Sequence, residues 1–134
     1  MGTWDIGSFG NDHAFEWLDE LAGCFGIEFL DHSLKPEELD GHHLETRDGV
    51  RILCACEILA ALRGQPARDL PHEALEWLSA HEELEPELLL PKAIEGVDRV
   101  LAAHSDLDEF WSANQTDYPK WRAAVEELRL RLGA

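Results

Sequence analysis

The chain has 134 residues, 45% of them hydrophobic, and its 28 acidic against 11 basic side chains give a formal net charge of -17. That length fits one domain able to bury its own core without metal or disulfide help. So negative a field repels nucleic-acid phosphates and anionic membranes, and it attracts cationic surfaces or metal ions. Helix formers dominate and alternating β-branched runs are almost lacking, so the expected fold is all-α. The expectation is one helical domain over residues 1–134, a bundle of five to seven helices with an ordered N-terminal loop.

In chain order, Asn11 or Asp12 is a good N-cap for a first helix, with Ala14, Phe15, Leu18, Leu21 and Phe25 at helical spacing. Gly23 and Gly26 weaken it beyond Ala22. A second segment is expected from Ile27 to Leu34, stopped by Lys35-Pro36 because the residue before a proline avoids the helical region. Glu37 to Glu45 holds Gly41 and His42-His43 and reads as an acidic surface loop. Thr46 or Asp48 then caps the clearest helix, through Val50, Leu53, Cys54, Glu57, Ile58 and Leu62 to Gly64. Its apolar positions go nearly all the way round, which makes it the expected central helix.

Past Gln65-Pro66, Asp69 and Pro71 open a helix through Leu75 and Leu78 towards Leu84. Glu85-Pro86 and Leu90-Pro91 bracket a short apolar link. From Lys92, the residues Ala93, Ile94, Val97, Val100 and Leu101 form the next helix, ending near His104. Ser105 starts a short one, with Asp108 as its reciprocal capping partner and Leu107, Phe110 and Trp111 as anchors. Trp121, Ala124, Val125, Leu128 and Leu132 mark a terminal helix begun by Asp117 or Pro119 and closed by Gly133.

The negative charge is uneven: Met1 to Thr46 carry a net -10, Arg47 to Gln115 carry -8, and Thr116 to Ala134 carry +1. Such a field serves either a charge-selected partner or plain solubility. Cys24, Cys54 and Cys56 are an odd number in apolar context, and on one helix Cys54 and Cys56 would point about 200° apart. Core thiols in a reducing compartment follow. The N-terminus lacks a secretory pattern and the longest apolar stretch, Ile52 to Leu62, is broken by Glu57, so a cytoplasmic protein is expected.

Seven histidines invite a metal census. His72-Glu73-Ala74-Leu75-Glu76 and His81-Glu82-Glu83-Leu84-Glu85 each lack the second histidine that a zincin helix requires. Nucleophile elbows, phosphate loops and a recognisable Cys-His signature are missing. No catalytic residue, metal ligand or cofactor is therefore assigned.

The opening residues carry the most specific pattern. Gly2, Trp4, Gly7, Phe9, Asn11, Asp12 and Ala14 stand where a bacterial family called domain of unknown function 4259 has Met-Gly-x-Trp-Gly-x-Gly-x-Phe-x-Asn-Asp-x-Ala. The chain resembles that family, departing from it at Asp5, which replaces the usual glycine. Glu57, Trp111, Trp121, Leu128, Arg131 and Leu132 match its later parts in kind. The resemblance spans essentially the full length and implies an architecture, not a reaction.

Glu57 is the only charged side chain from Ile52 to Leu62. A buried carboxylate must find donors, and a helix-free N-terminal segment offers backbone N–H groups at Gly2 to Gly10 and the Trp4 indole. The expected arrangement is a clasp: Trp4 and Phe9 fill the core, Asn11 or Asp12 caps the first helix, and Glu57 accepts hydrogen bonds from the loop. Two functions compete. One is a non-enzymatic module that binds a basic protein, in the manner of an immunity protein or antitoxin. The other is a small enzyme or metal-binding protein using Asp12, Glu57 and neighbouring carboxylates beneath the N-terminal loop.

Overall fold

The computed structural model describes residues 6–24, 26–35 and 43–134. Seven helices occur among them: α1 (Asp12–Ala22), α2 (Glu28–Ser33), α3 (Thr46–Leu62), α4 (His72–Ala80), α5 (Leu90–Leu101), α6 (Asp106–Ser112) and α7 (Tyr118–Arg131). The described residues form no sheet; a lone parallel bridge joins Leu44 to Ser105.

α3 is the axis on which the other six helices pack. Every residue from Gly49 to Ala60 is buried, as an all-round apolar helix requires. Two of those residues are charged. Arg51 donates to Glu20 on α1 at 2.8 Å and lies over the Phe29 ring of α2, so one guanidinium ties three helices together. Glu57 is the other.

Close approach of α5 to α3 depends on Gly96. A Cβ added there would sit 2.8 Å from Cγ2 of Ile52, a fully buried β-branched side chain with little freedom to yield. Gly96→Ala should therefore lower stability by about 1–3 kcal/mol of overpacking, less about 1 kcal/mol regained in helix propensity. Urea unfolding of the two proteins measures the difference.

Local chemistry sets the helix ends. Asn11 is the N-cap of α1, accepting from the Ala14 N–H at 2.9 Å, and Asp12 is the first helical residue. α3 begins at Thr46 with Glu45 in the cap position and no side-chain cap, so neither Thr46 nor Asp48 caps it. The neighbouring chain is instead fixed by Leu44, whose N–H donates to His104 O and whose carbonyl accepts from the Asp106 N–H, both at 2.9 Å. α4 stops at Ala80, leaving Leu84 in the following turn. α5 starts at Leu90, earlier than the expected Lys92. Pro91 lies in its first turn, where the missing N–H has no intrahelical partner to lose. It ends at Leu101, short of His104, whose φ of 70° is incompatible with helix.

In α6 only half of the capping box forms. Ser105 Oγ accepts from the Asp108 N–H at 3.3 Å, while the Asp108 carboxylate takes the Tyr118 hydroxyl at 2.7 Å and Arg122 at 2.9 Å. Phe110, expected as an anchor, is exposed, whereas Leu107 and Trp111 are buried. Asp117 occupies the α7 cap position without a side-chain capping bond, its carboxylate accepting from Asn114 Nδ2 at 3.0 Å; Asn114 Oδ1 accepts from the Thr116 and Asp117 N–H groups. Gly64 and Gly133 follow α3 and α7 at φ of 89° and 99°, the left-handed turn that glycine adopts without penalty.

Cys54 and Cys56 face opposite sides of α3, one towards the Ser8 carbonyl and the other towards that of Ala93, each at 3.6 Å. Burial pushes both thiols well above the usual cysteine range, and the negative charge of Glu57 adds to it. Cys24 is only partly buried, and all three are free. A thiol reagent should modify Cys24 in the native protein and reach Cys54 and Cys56 only on unfolding. Counting labelled peptides by mass spectrometry tests this. No helix among the described residues is long and apolar enough to cross a membrane.

Candidate functional site

Glu57 points from the middle of α3 towards the N-terminal loop and the end of α7. Its Oε2 accepts the Ser8 hydroxyl at 2.8 Å, and its Oε1 accepts Arg131 Nη1 at 3.0 Å. Ser8 sits in a turn closed by the Gly10 N–H on the Gly7 carbonyl at 3.1 Å. Arg131 is shared: its Nε donates to Glu127 at 2.8 Å and its Nη1 to the Gln65 carbonyl at 3.2 Å. The Glu57 and Arg131 side chains are 7% and 12% exposed. Burial works against the Arg131 charge, but Glu57 and then Glu127 outweigh it and raise its pKa.

This pair forms the floor of a cleft of about 1010 Å³. Loop residues 6–10 make one wall, Phe15 and Leu53 another, and the 65–69 connection with Val125 closes the rest. The apolar side chains Phe9 and Phe15 thus stand beside charged ones. Phe15 has the right helical spacing for the core but is 54% exposed, because its side of α1 opens on this cleft.

The sequence-selected residues separate into three groups. Phe9 is half-buried, its ring centroid 6.4 Å from that of Trp17, and Asn11 is buried as the α1 cap. Asp12 is exposed in the first turn of α1 and does not line the cleft around Glu57. Trp4 and Asp5 lie outside the described residues, as do Phe25 and the 36–42 part of the acidic loop. Among the described residues, no three His, Cys, Asp or Glu side chains are grouped to hold a metal ion.

Ser8 and Arg131 are the partners that sequence reasoning missed. Among the described loop residues the donor to Glu57 is the Ser8 hydroxyl and not a backbone N–H; the Trp4 indole and the N–H groups of residues 2–5 lie outside those residues. Arg131 follows Glu127 at the i,i+4 spacing of an ordinary surface pair. The available signal was electrostatic: a buried carboxylate needs a cation, and only the segment from Thr116 onwards has a net positive charge.

Elsewhere the cations are largely engaged within the fold. Lys35 and Lys92 bind Asp31, Arg122 binds Asp108 and Arg129 binds Asp98. Lys92 above all, with Lys35, holds the Asp31 carboxyl below the usual carboxylate range. Glu82, Glu83, Glu85 and Glu87, between α4 and α5, are exposed and make no ion pair with a described residue. Leu88 projects beside them, 89% exposed.

These features define a small all-α domain with a cleft built over a buried ion pair. The chain belongs to the family described as Domain of unknown function (DUF4259), whose family model matches residues 2–124. No curated protein and no solved structure matches the chain.

Proposed function

We propose that the protein is a non-enzymatic interaction module whose partner is a protein with a basic surface. The observation that carries this reading is the internal use of the cations: Arg51, Arg122, Arg129, Arg131 and both lysines named above are committed to carboxylates of the same chain. The carboxylates left over, notably Glu82 to Glu87, give the surface a one-signed field that steers a cationic partner and disfavours an anionic one. Leu88 within that stretch is exposed and adds apolar surface that a partner would cover. Neutralising a cationic toxin, as immunity proteins and antitoxins do, is one concrete form.

Glu57 supports the non-enzymatic side. Both of its oxygens are already engaged, by Ser8 and Arg131, so it serves as an internal tie better than as a base or a metal ligand. The reading places the protein in the cytosol, where free Cys24, Cys54 and Cys56 stay reduced. Affinity capture from the native host with the full-length protein tests it. The captured protein should be basic and should elute as salt is raised; capture that ignores ionic strength would contradict the reading.

A further inference from the structure

We propose that the cleft over the Glu57–Arg131 pair is the seat for an extended segment of the partner, one that carries an aromatic or aliphatic side chain beside a lysine or arginine. The inference rests on the interaction reading above and adds to it a place and a chemistry.

The cleft is large enough for a few residues of such a segment, at about 1010 Å³ against roughly 300–1,000 Å³ for typical ligand pockets. Apolar side chains make up part of its walls, with Phe9, Phe15, Leu53, Pro66, Pro71 and Val125 all lining it. Phe15 is exposed although the other large apolar side chains of its helix, Trp17, Leu18 and Leu21, are buried, so the wall is unfilled where an incoming side chain would contact it.

Charge selects the rest of the occupant. Three carboxylates, of Glu57, Asp69 and Glu127, line the cleft against two guanidiniums, of Arg68 and Arg131. Arg131 is saturated by Glu57, Glu127 and the Gln65 carbonyl, so it has little to offer an anion. Asp69 differs. Its Oδ2 lies 3.4 Å from where a Cβ of Gly7 would be, which sets the carboxylate against the loop at the cleft wall, and it forms no hydrogen bond or ion pair with a described residue. A cation on the incoming segment would meet Asp69 within a chain of net charge -17, while an anion would be opposed by that same field. Asp69 and Arg68 are both exposed and act weakly on one another through water, so the preference for a cation comes from the negative excess of the cleft and of the chain.

The test uses the full-length, isotope-labelled protein and a capped hexapeptide that alternates phenylalanine and lysine, followed by amide NMR. The expected result is shifts centred on Ser8, Phe9, Phe15 and Asp69, with affinity at least ten-fold weaker in Asp69→Lys and falling as salt rises. A matched phenylalanine-glutamate peptide should bind at least ten-fold more weakly. Equal binding of the two peptides would overturn the cationic requirement. Shifts confined to residues 82–88 would overturn the cleft while leaving the basic-partner reading intact, and no shifts anywhere would count against both. Binding seen only in Trp4→Ala would assign the cleft to the chain's own N-terminal residues and overturn the proposal.

Discussion

Arg131→Ala is expected to cost about 3–5 kcal/mol of stability, because it strands the Glu57 carboxylate, only 7% exposed, without its cation. The Ser8 hydroxyl alone cannot replace a charged partner. The cost belongs to the unpaired charge and not to the pair. Removing both charges together, as Glu57→Leu with Arg131→Leu, should recover most of the loss, since apolar replacements of buried pairs are often neutral or stabilising. Glu127→Ala, which removes the exposed partner of Arg131, should cost well under about 1 kcal/mol. Chemical denaturation of the four proteins gives the comparison. A loss below about 1 kcal/mol in Arg131→Ala, or a double variant less stable than Arg131→Ala, would show that the pair is not the buried tie described.

Trp17→Ala is expected to be of similar size, about 3–5 kcal/mol, for a different reason. The indole is fully buried between the N-terminal loop and α2, near Phe9 on one side and 5.3 Å between centroids from Phe29 on the other. Its Nε1 donates to Ser33 Oγ at 2.9 Å, and Ser33 in turn donates to the Phe29 carbonyl. Truncation leaves a cavity and deprives Ser33 of its donor, whereas Trp17→Phe should keep most of the volume and lose mainly the hydrogen bond, about 1 kcal/mol. The two midpoints in urea separate packing from hydrogen bonding.

Much of this fold was legible because one period recurs. Val50, Leu53, Cys54 and Ile58 mark α3, and the absence of a polar face there identified the helix that others surround. Glu57 stood out for the same reason, as the one charge in an apolar run. The partners of Glu57 were not legible. Ser8 is 49 residues away and Arg131 is 74, so only the folded chain brings them together.

Other departures have equally local causes. Pro91 reads as a breaker in one dimension, yet a proline in the first turn of a helix loses nothing. Asp108 has the spacing of a capping partner, but Tyr118 and Arg122 compete for it and win with charge-assisted bonds. Phe15 obeys helical spacing and still faces outward, since spacing fixes the side of a helix and not what lies opposite.

Glu57 is the group that ties the N-terminal loop to α3 and α7. Hydrogen exchange in wild type and Glu57→Gln measures this most directly. Glutamine leaves one acceptor oxygen for two donors, Ser8 and Arg131, and loses the charge, so the amides of residues 6–10 and of the last turn of α7 should exchange faster together, with α4 and α5 unchanged. Unaltered exchange in the loop and in α7 would contradict the account.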